Sequence, residues 1–270
     1  MDSCVDARDM RLLEGDRYTF AVLRRILGGP CDLVLTDHEK LILCHSAARY
    51  PVWLWTPDDL TESDRARAWA LAEAHRPLSA GYRYNLKVEL AEDFLARARA
   101  GGTPAAILTN MLAYDCPEPV PPGIPTDGAP EQCGMDDLDE AVALRRSFSE
   151  AIGEKPMDDA ALREQVSESV GRGAFFLWRN GAGEAVACCG CKPDGCLGPV
   201  YTKPEHRRRH YARHLVYHVT RRVAEQGLVP MLYTDADYPA SNACYTGIGY
   251  VPRGRLCTIG VLHEQKPAHP

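Results

Sequence analysis

One stretch, Gly198 to Ala212, constrains the fold of this chain more than any other. Gly198-Pro199-Val200-Tyr201-Thr202 reads as a short buried strand. Lys203-Pro204-Glu205-His206 then turns the chain into a long helix. Ala212, Leu215, Val216, Val219 and Val223 fall on one face at helical spacing, and Pro204 suits the first helical turn, where its missing N–H has no partner to lose. A strand that feeds a helix N-terminus leaves several amides unpaired and pointing one way, which with the helix dipole favours an anion. Arg207, Arg208 and Arg209 stand on that turn, with Lys203 before and Arg213 after, against a background net charge of −6. Charge alone leaves a second reading open, a solvated basic helix face.

The residues carry more than charge. Val200-Tyr201-Thr202-Lys203-Pro204-Glu205 followed by Arg207 and Ala212 resembles the acyl-CoA motif of the GNAT acetyltransferase superfamily, in which a strand end leads into an Arg/Gln-x-x-Gly-x-Gly/Ala turn. His210 departs from it by standing at the first glycine, and Arg208 replaces a frequent glycine. Farther on, Asn242, Tyr245, Gly249 and Tyr250 match a second family motif, whose leading asparagine is Tyr238 here. The resemblance spans about residues 130 to 262. It implies that Val200, Tyr201 and Thr202 bind pantetheine, with a backbone N–H near Val200 or Tyr201 facing the thioester oxygen. It also implies that Arg207, Arg208, Arg209, His210, Tyr211 and Ala212 hold the pyrophosphate, that Asn242 belongs to the cofactor site, and that Tyr245 protonates the leaving thiolate. Asp235, at a strand end, is the nearest acidic candidate for the base.

A length of 270 residues allows one large domain or two ordinary ones, and 45% apolar with 25% charged residues is a globular composition. No apolar run is long enough for a membrane span, and the first residues lack the basic start and apolar core of a signal peptide, so the expected location is cytoplasmic. Eleven cysteines are then expected as thiols. Cys188, Cys189, Cys191 and Cys196 lie close together, but neighbours on a strand point to opposite faces and no paired C-x-x-C knuckle is present, so no metal is expected. His206, His210, His214 and His218 recur every four residues; that spacing drifts around a helix, and the stripe reads as mostly solvated.

Six prolines and two glycines between Cys116 and Glu131 mark a linker, which predicts domains at 1–115 and 132–270. Before it, a helix from Leu12 to Leu27 precedes strands at Asp32–Thr36, Leu41–His45 and Val52–Trp55. Helices to His75 and from Glu89 to Ala100 follow, with an extended piece near Tyr82 to Tyr84 and a strand from Ala105 to Tyr114. Trp55-Thr56-Pro57 echoes Tyr201-Thr202-Lys203-Pro204, so the two halves read as pseudo-repeats. Asp58, Asp59, Glu62 and Asp64 occupy the first helix start and would repel a pyrophosphate, which predicts a degenerate GNAT-like half that does not bind CoA. After the linker, Asp136 is expected to cap a helix bearing Leu138, Val142, Phe148 and Ile152, and a second helix covers about Asp158 to Gly171. Strands at Ala174–Arg179, Ala185–Gly190 and Cys196–Thr202 follow, with a hairpin turn at Asn180-Gly181. Pro230–Asp235 is a buried strand and Ser241–Tyr245 a short helix.

The expected fold is therefore α/β (α+β, mixed sheet), with a GNAT fold in the C-terminal half. The expected function is acetyl-CoA-dependent N-acetylation of a small-molecule or peptide amine, without nucleic-acid or membrane partners; homodimerisation through the first half stays open. The competing reading is a CoA-binding module of the same fold that performs no turnover.

Overall fold

Every residue is buried in β2 (Ile42–His45) and in β3 (Val52–Trp55), and their alternation explains how. Leu43, Val52 and Leu54 point into one apolar cluster, shared with Ala68, Leu90 and Phe94. Ile42, Cys44, Trp53 and Trp55 point into the opposite one, with Leu13, Phe20 and Leu23. Period-two strands with both faces covered bury everything they carry.

The computed structural model describes residues 1–154 and 156–262 and divides into two compact units. The first holds Met1–Ala113, Tyr233–Asp237 and the chain from Arg253 onward; the second holds Tyr114–Leu232 and Tyr238–Pro252. These units are discontinuous, unlike the expected 1–115 and 132–270, and the last eight positions lie outside the described residues.

The first unit starts with α1 (Ala7–Leu12) and α2 (Ala21–Ile26), two short helices where the apolar spacing predicts one. An Asp6–Asp9 capping box opens α1, and Gly15 and Asp16 interrupt the run; Asp16 accepts from the Trp55 indole N–H (2.9 Å). Next come β1 (Leu33–Thr36), β2 and β3, then α3 (Glu62–His75), β4 (Tyr84–Lys87), α4 (Val88–Ala100) and β5 (Ala105–Asp115). All match the expected elements within a few residues. β3 and β4 are parallel, the remaining registered pairs of this sheet antiparallel.

The second unit opens where only a linker is expected: β6 (Ala129–Gln132) pairs antiparallel with β7 (Phe175–Arg179). Pro130 is tolerated because β6 is an edge strand. Between them lie α5 (Leu138–Ala151) and α6 (Asp159–Gly171), whose Leu138, Val142, Leu162, Val166 and Val170 pack on Phe175, Leu177 and Cys188. Asp158 caps α6 as an N-cap should, accepting from Ala160 and Ala161. Asp136 does not cap α5. A short 3₁₀ turn, Met135–Asp137, intervenes, and Asp137 accepts from the Gly134 N–H instead (2.9 Å). Ile152, expected on the apolar face, is 55% exposed.

β8 (Ala185–Cys191) and β9 (Leu197–Thr202) complete the four-stranded sheet β6-β7-β8-β9. The helix α7 (Tyr211–Glu225) buries Leu215, Val216, Val219 and Val223, as its spacing predicts. Then follow β10 (Met231–Asp235), α8 (Pro239–Thr246) and β11 (Val251–Val261). The seven-stranded sheet has the order β1-β2-β3-β4-β11-β5-β10. No helix among the described residues is long and apolar enough to cross a membrane.

Candidate functional site

β9 is an edge strand, not the buried one expected: after Leu197, its residues Gly198 to Thr202 are half-exposed. One side pairs with β8, Thr202 opposite Ala187, Tyr201 opposite Cys188 and Val200 opposite Cys189. At its start a parallel bridge joins Cys196 to Met231, where the Met231 N–H donates to the Gly195 carbonyl (3.1 Å). Beyond that bridge no strand is registered against the other side of β9 among the described residues. The Lys203 N–H donates to the Val186 carbonyl (3.0 Å), so by alternation Tyr201 turns its main-chain groups toward β8. Those of Val200 and Thr202 face an open edge of the kind an extended ligand can extend by hydrogen bonds.

The turn after β9 does not lead straight into the helix. Pro204 opens a single 3₁₀ turn, Pro204–His206, and α7 begins only at Tyr211. Between them Arg207 is extended, whereas Arg208 (φ 63°) and His210 (φ 66°) are left-handed. Both are positions where the family pattern has glycine, so the glycine backbone is kept by residues that pay a steric penalty of about 1 kcal/mol each for it. No side chain caps α7, and the His210 carbonyl already accepts from the His214 N–H (3.2 Å). The first-turn amides of α7 are thus left for an external acceptor.

Of the five cations grouped by sequence, two are committed elsewhere. Lys203 pairs with Glu184 (2.7 Å), and Arg213 donates to the Ala243 carbonyl (3.3 Å) near the end of α8. The Arg213 guanidinium lies where a Cβ on Gly247 would sit, so glycine leaves room for this placement of the arginine. Arg207, Arg208 and Arg209 are exposed and enter no ion pair among the described residues; Arg207 donates to the Thr202 carbonyl (3.3 Å). The Tyr211 side chain is buried, its hydroxyl donating to Asp127 (2.7 Å), so only its backbone is available to the turn. Ala212 is half-buried behind it.

On α8, Tyr245 is buried between the rings of Tyr114 (6.5 Å) and Tyr250 (5.9 Å). Burial pushes its phenol well above the usual tyrosine range, and a hydrogen bond with Ser241 opposes this. Tyr245 is therefore protonated at neutral pH. Asn242 is half-buried and accepts from the Tyr114 hydroxyl (3.5 Å), while Tyr238 precedes α8 without capping it. Asp235 belongs to the other compact unit, exposed, with its carboxylate accepting from the Asp237 N–H (2.9 Å).

The histidine stripe is less solvated than its spacing suggests. His210 is exposed, but His206, His214 and His218 are half-buried. His214 lies against Trp178 (5.7 Å) and bonds the Ile124 carbonyl; His218 lies against Phe176 (6.0 Å), where burial lowers its pKa. These contacts come from α7 packing on β7. Cys188 and Cys189 are both fully buried, and burial pushes the Cys188 thiol up to about 12. Among the described residues, the ligand-type side chains that converge are Asp6, Asp9 and His38 in the first unit, where the Asp9 carboxylate meets His38 Nδ1 (2.8 Å) and accepts from the Asp6 backbone N–H (2.8 Å).

Sequence reasoning missed the segment before β6. Its Thr126, Asp127 and Ile124 bond the turn and α7 directly, and their spacing gives no periodic signal.

Comparison with known proteins bears on the fold. Residues 176–257 match the family model described as FR47-like protein. An acetyltransferase from the GNAT family of Colwellia psychrerythraea is similar at 12% identity and TM-score 0.57, over 97% of this chain and 99% of that one. A GCN5-related N-acetyltransferase from Kribbella flavida is similar at 16% identity and TM-score 0.60, over 93% and 97%. One from Sphaerobacter thermophilus aligns at 15% identity and TM-score 0.57, over 88% and 84%. A search of curated proteins finds no match.

Proposed function

We propose that this chain, which shares the fold of GNAT acetyltransferases and matches the FR47-like family model over residues 176–257, is an acetyl-CoA-dependent N-acetyltransferase acting on a small-molecule or peptide amine. The observation that carries this reading is the β9 edge running into an uncapped, left-handed turn with three unpaired arginines. Val200, Tyr201 and Thr202 bind the pantetheine arm along the strand edge. The amides at the start of α7, with Arg207, Arg208 and Arg209, bind the diphosphate, as charge-assisted bonds at a helix N-terminus do. Asn242 supports the same site from α8.

In the reaction, the amine nitrogen forms a bond to the thioester carbonyl carbon, and the carbon–sulfur bond breaks. Of the two expected β9 donors, Tyr201 turns its N–H toward β8, so the Val200 N–H, on the open edge, stabilises the oxyanion between those events. Tyr245 donates its proton to the departing sulfur, and burial keeps it in the protonated state that role requires. The first half, whose helix start is acidic, takes no part in CoA binding.

Tyr245→Phe is expected to lower kcat about 100-fold with little change in the affinity for acetyl-CoA, followed by thiol release with a panel of amines. The burial of Tyr245 in an aromatic cluster favours a second reading, a CoA-binding module without turnover. Binding of CoA with no amine-dependent thiol release in the unaltered protein would select that reading. Absence of CoA binding would remove both.

A further inference from the structure

Resting on the reading of Arg207 to Ala212 as the diphosphate site, we propose that Thr126 and Asp127 are positioning residues that hold this turn in the shape glycines would otherwise give it. The segment they belong to is anchored along its length within the second unit. The Cys116 N–H donates to the Pro230 carbonyl (2.9 Å) and the Val120 N–H to the Ile248 carbonyl (2.7 Å). The Ile124 carbonyl meets His214 Nε2 (2.7 Å), and the Asp127 carbonyl accepts from the Trp178 indole N–H (3.0 Å). A proline-rich segment can be held this way because its prolines keep their carbonyls and the residues between them keep their N–H groups.

Two bonds reach the turn itself. The Thr126 hydroxyl donates to the Arg209 carbonyl (2.8 Å), and the Asp127 carboxylate accepts from the Tyr211 hydroxyl (2.7 Å). Arg209 lies between the two left-handed residues. Fixing its carbonyl fixes the plane of the Arg209–His210 peptide, and rotation of that plane is what would take His210 out of positive φ. Tyr211 holds the next residue. The other Asp127 oxygen accepts from the Gly181 N–H (2.7 Å), which ties the carboxylate to the β7–β8 hairpin. Gly128 has φ 82°, and a Cβ there would lie 1.9 Å from the Arg179 carbonyl oxygen. Glycine is thus used where the strap descends onto β7, while the turn it braces carries arginine and histidine. External bonds stand in for the conformational freedom that glycine lacks any need to have enforced.

The test is a rescue experiment on the full chain. CoA is titrated calorimetrically into six proteins: the unaltered protein, Thr126→Val, Asp127→Ala, the Arg208→Gly/His210→Gly protein, and that protein carrying each of the same two substitutions. In the native turn each substitution is expected to weaken binding about fivefold, the size of one lost hydrogen bond. In the glycine background the same substitutions are expected to change it less than about twofold, because the turn no longer needs bracing. No loss in the native turn, or an equal loss in both backgrounds, overturns the proposal. If CoA binds none of the six proteins, the functional reading fails, and the strap is judged on thermal unfolding alone. It then stands if Thr126→Val lowers Tm by about 2–4 °C in the native turn and clearly less in the glycine background. Equal shifts overturn it.

Discussion

Two strand-to-helix junctions of this molecule are built from the same parts and finished in opposite ways. After β3 the chain enters α3 through Thr61, whose hydroxyl accepts from the Asp64 N–H (3.2 Å) while Asp64 accepts from the Thr61 N–H (3.0 Å). Its carboxylates are spoken for: Asp58 by Lys87 (2.5 Å), Glu62 by Arg97 (2.5 Å) and Asp64 by Lys40 (2.7 Å). A cleft of about 380 Å3 lined by Thr56, Asp58, Arg65 and Lys87 opens there, with Lys87 held between Asp16 and Asp58. After β9 the chain enters α7 with no side-chain cap and with three arginines left unpaired. The first helix start is satisfied from within. The second leaves its first-turn amides uncapped and its arginines exposed. The same backbone element is a structural joint in one place and, on the proposed reading, a binding device in the other, with side chains over a single turn making the difference.

The largest expected effect tests the open junction. Replacing Arg207, Arg208 and Arg209 together with alanine is expected to weaken CoA binding about 100-fold by calorimetry while leaving Tm nearly unchanged, since exposed, unpaired cations contribute little to folding. A drop in Tm with affinity retained would reverse the contrast. At the closed junction the effect falls on stability instead. Thr61→Ala is expected to cost about 1 kcal/mol in chemical denaturation, with no change in the KM for acetyl-CoA. The smallest effect concerns pH. The bonds from Lys40 and Thr61 hold the Asp64 carboxyl down to about 2, from an ordinary value of 3.8. The folded state thus binds the proton less readily than the unfolded chain, so this contribution is full above 3.8 and is lost as pH falls toward about 2. The stability difference between the unaltered protein and Asp64→Asn is expected to shrink over that window in pH-dependent unfolding, and a constant difference would show that Asp64 does not carry it.

Much of this was readable before any coordinates. Short apolar runs beside a polar turn marked β2 and β3, and the spacing of Leu215, Val216, Val219 and Val223 marked the body of α7. The misreadings share a cause: interactions between residues far apart in the chain. Leu12 to Leu27 has helical spacing, but Asp16 is claimed by Trp55 and Lys87, and the helix divides. Pro204 fits a helix start, yet the left-handed residues Arg208 and His210 delay that start to Tyr211. Prolines made 116–131 look like a tether because they remove donors; its carbonyls and its Thr126 and Asp127 side chains still bond the second unit. In the site, Arg207 to Arg209 were legible as a cluster. That Lys203 and Arg213 had left it for Glu184 and Ala243 was not, because neither partner is near in sequence.

The path of the chain between its units has a practical corollary. After Leu232 it enters the first unit for Tyr233–Asp237, returns for Tyr238–Pro252, and departs again at Arg253. β11 lies between β4 and β5 in the long sheet. A gene fragment stopped at the prolines would therefore encode a sheet missing a strand from its interior, and the complementary fragment would carry that strand away. Dissecting this protein calls for grafted segments or circular permutation, because no single cut yields either piece whole.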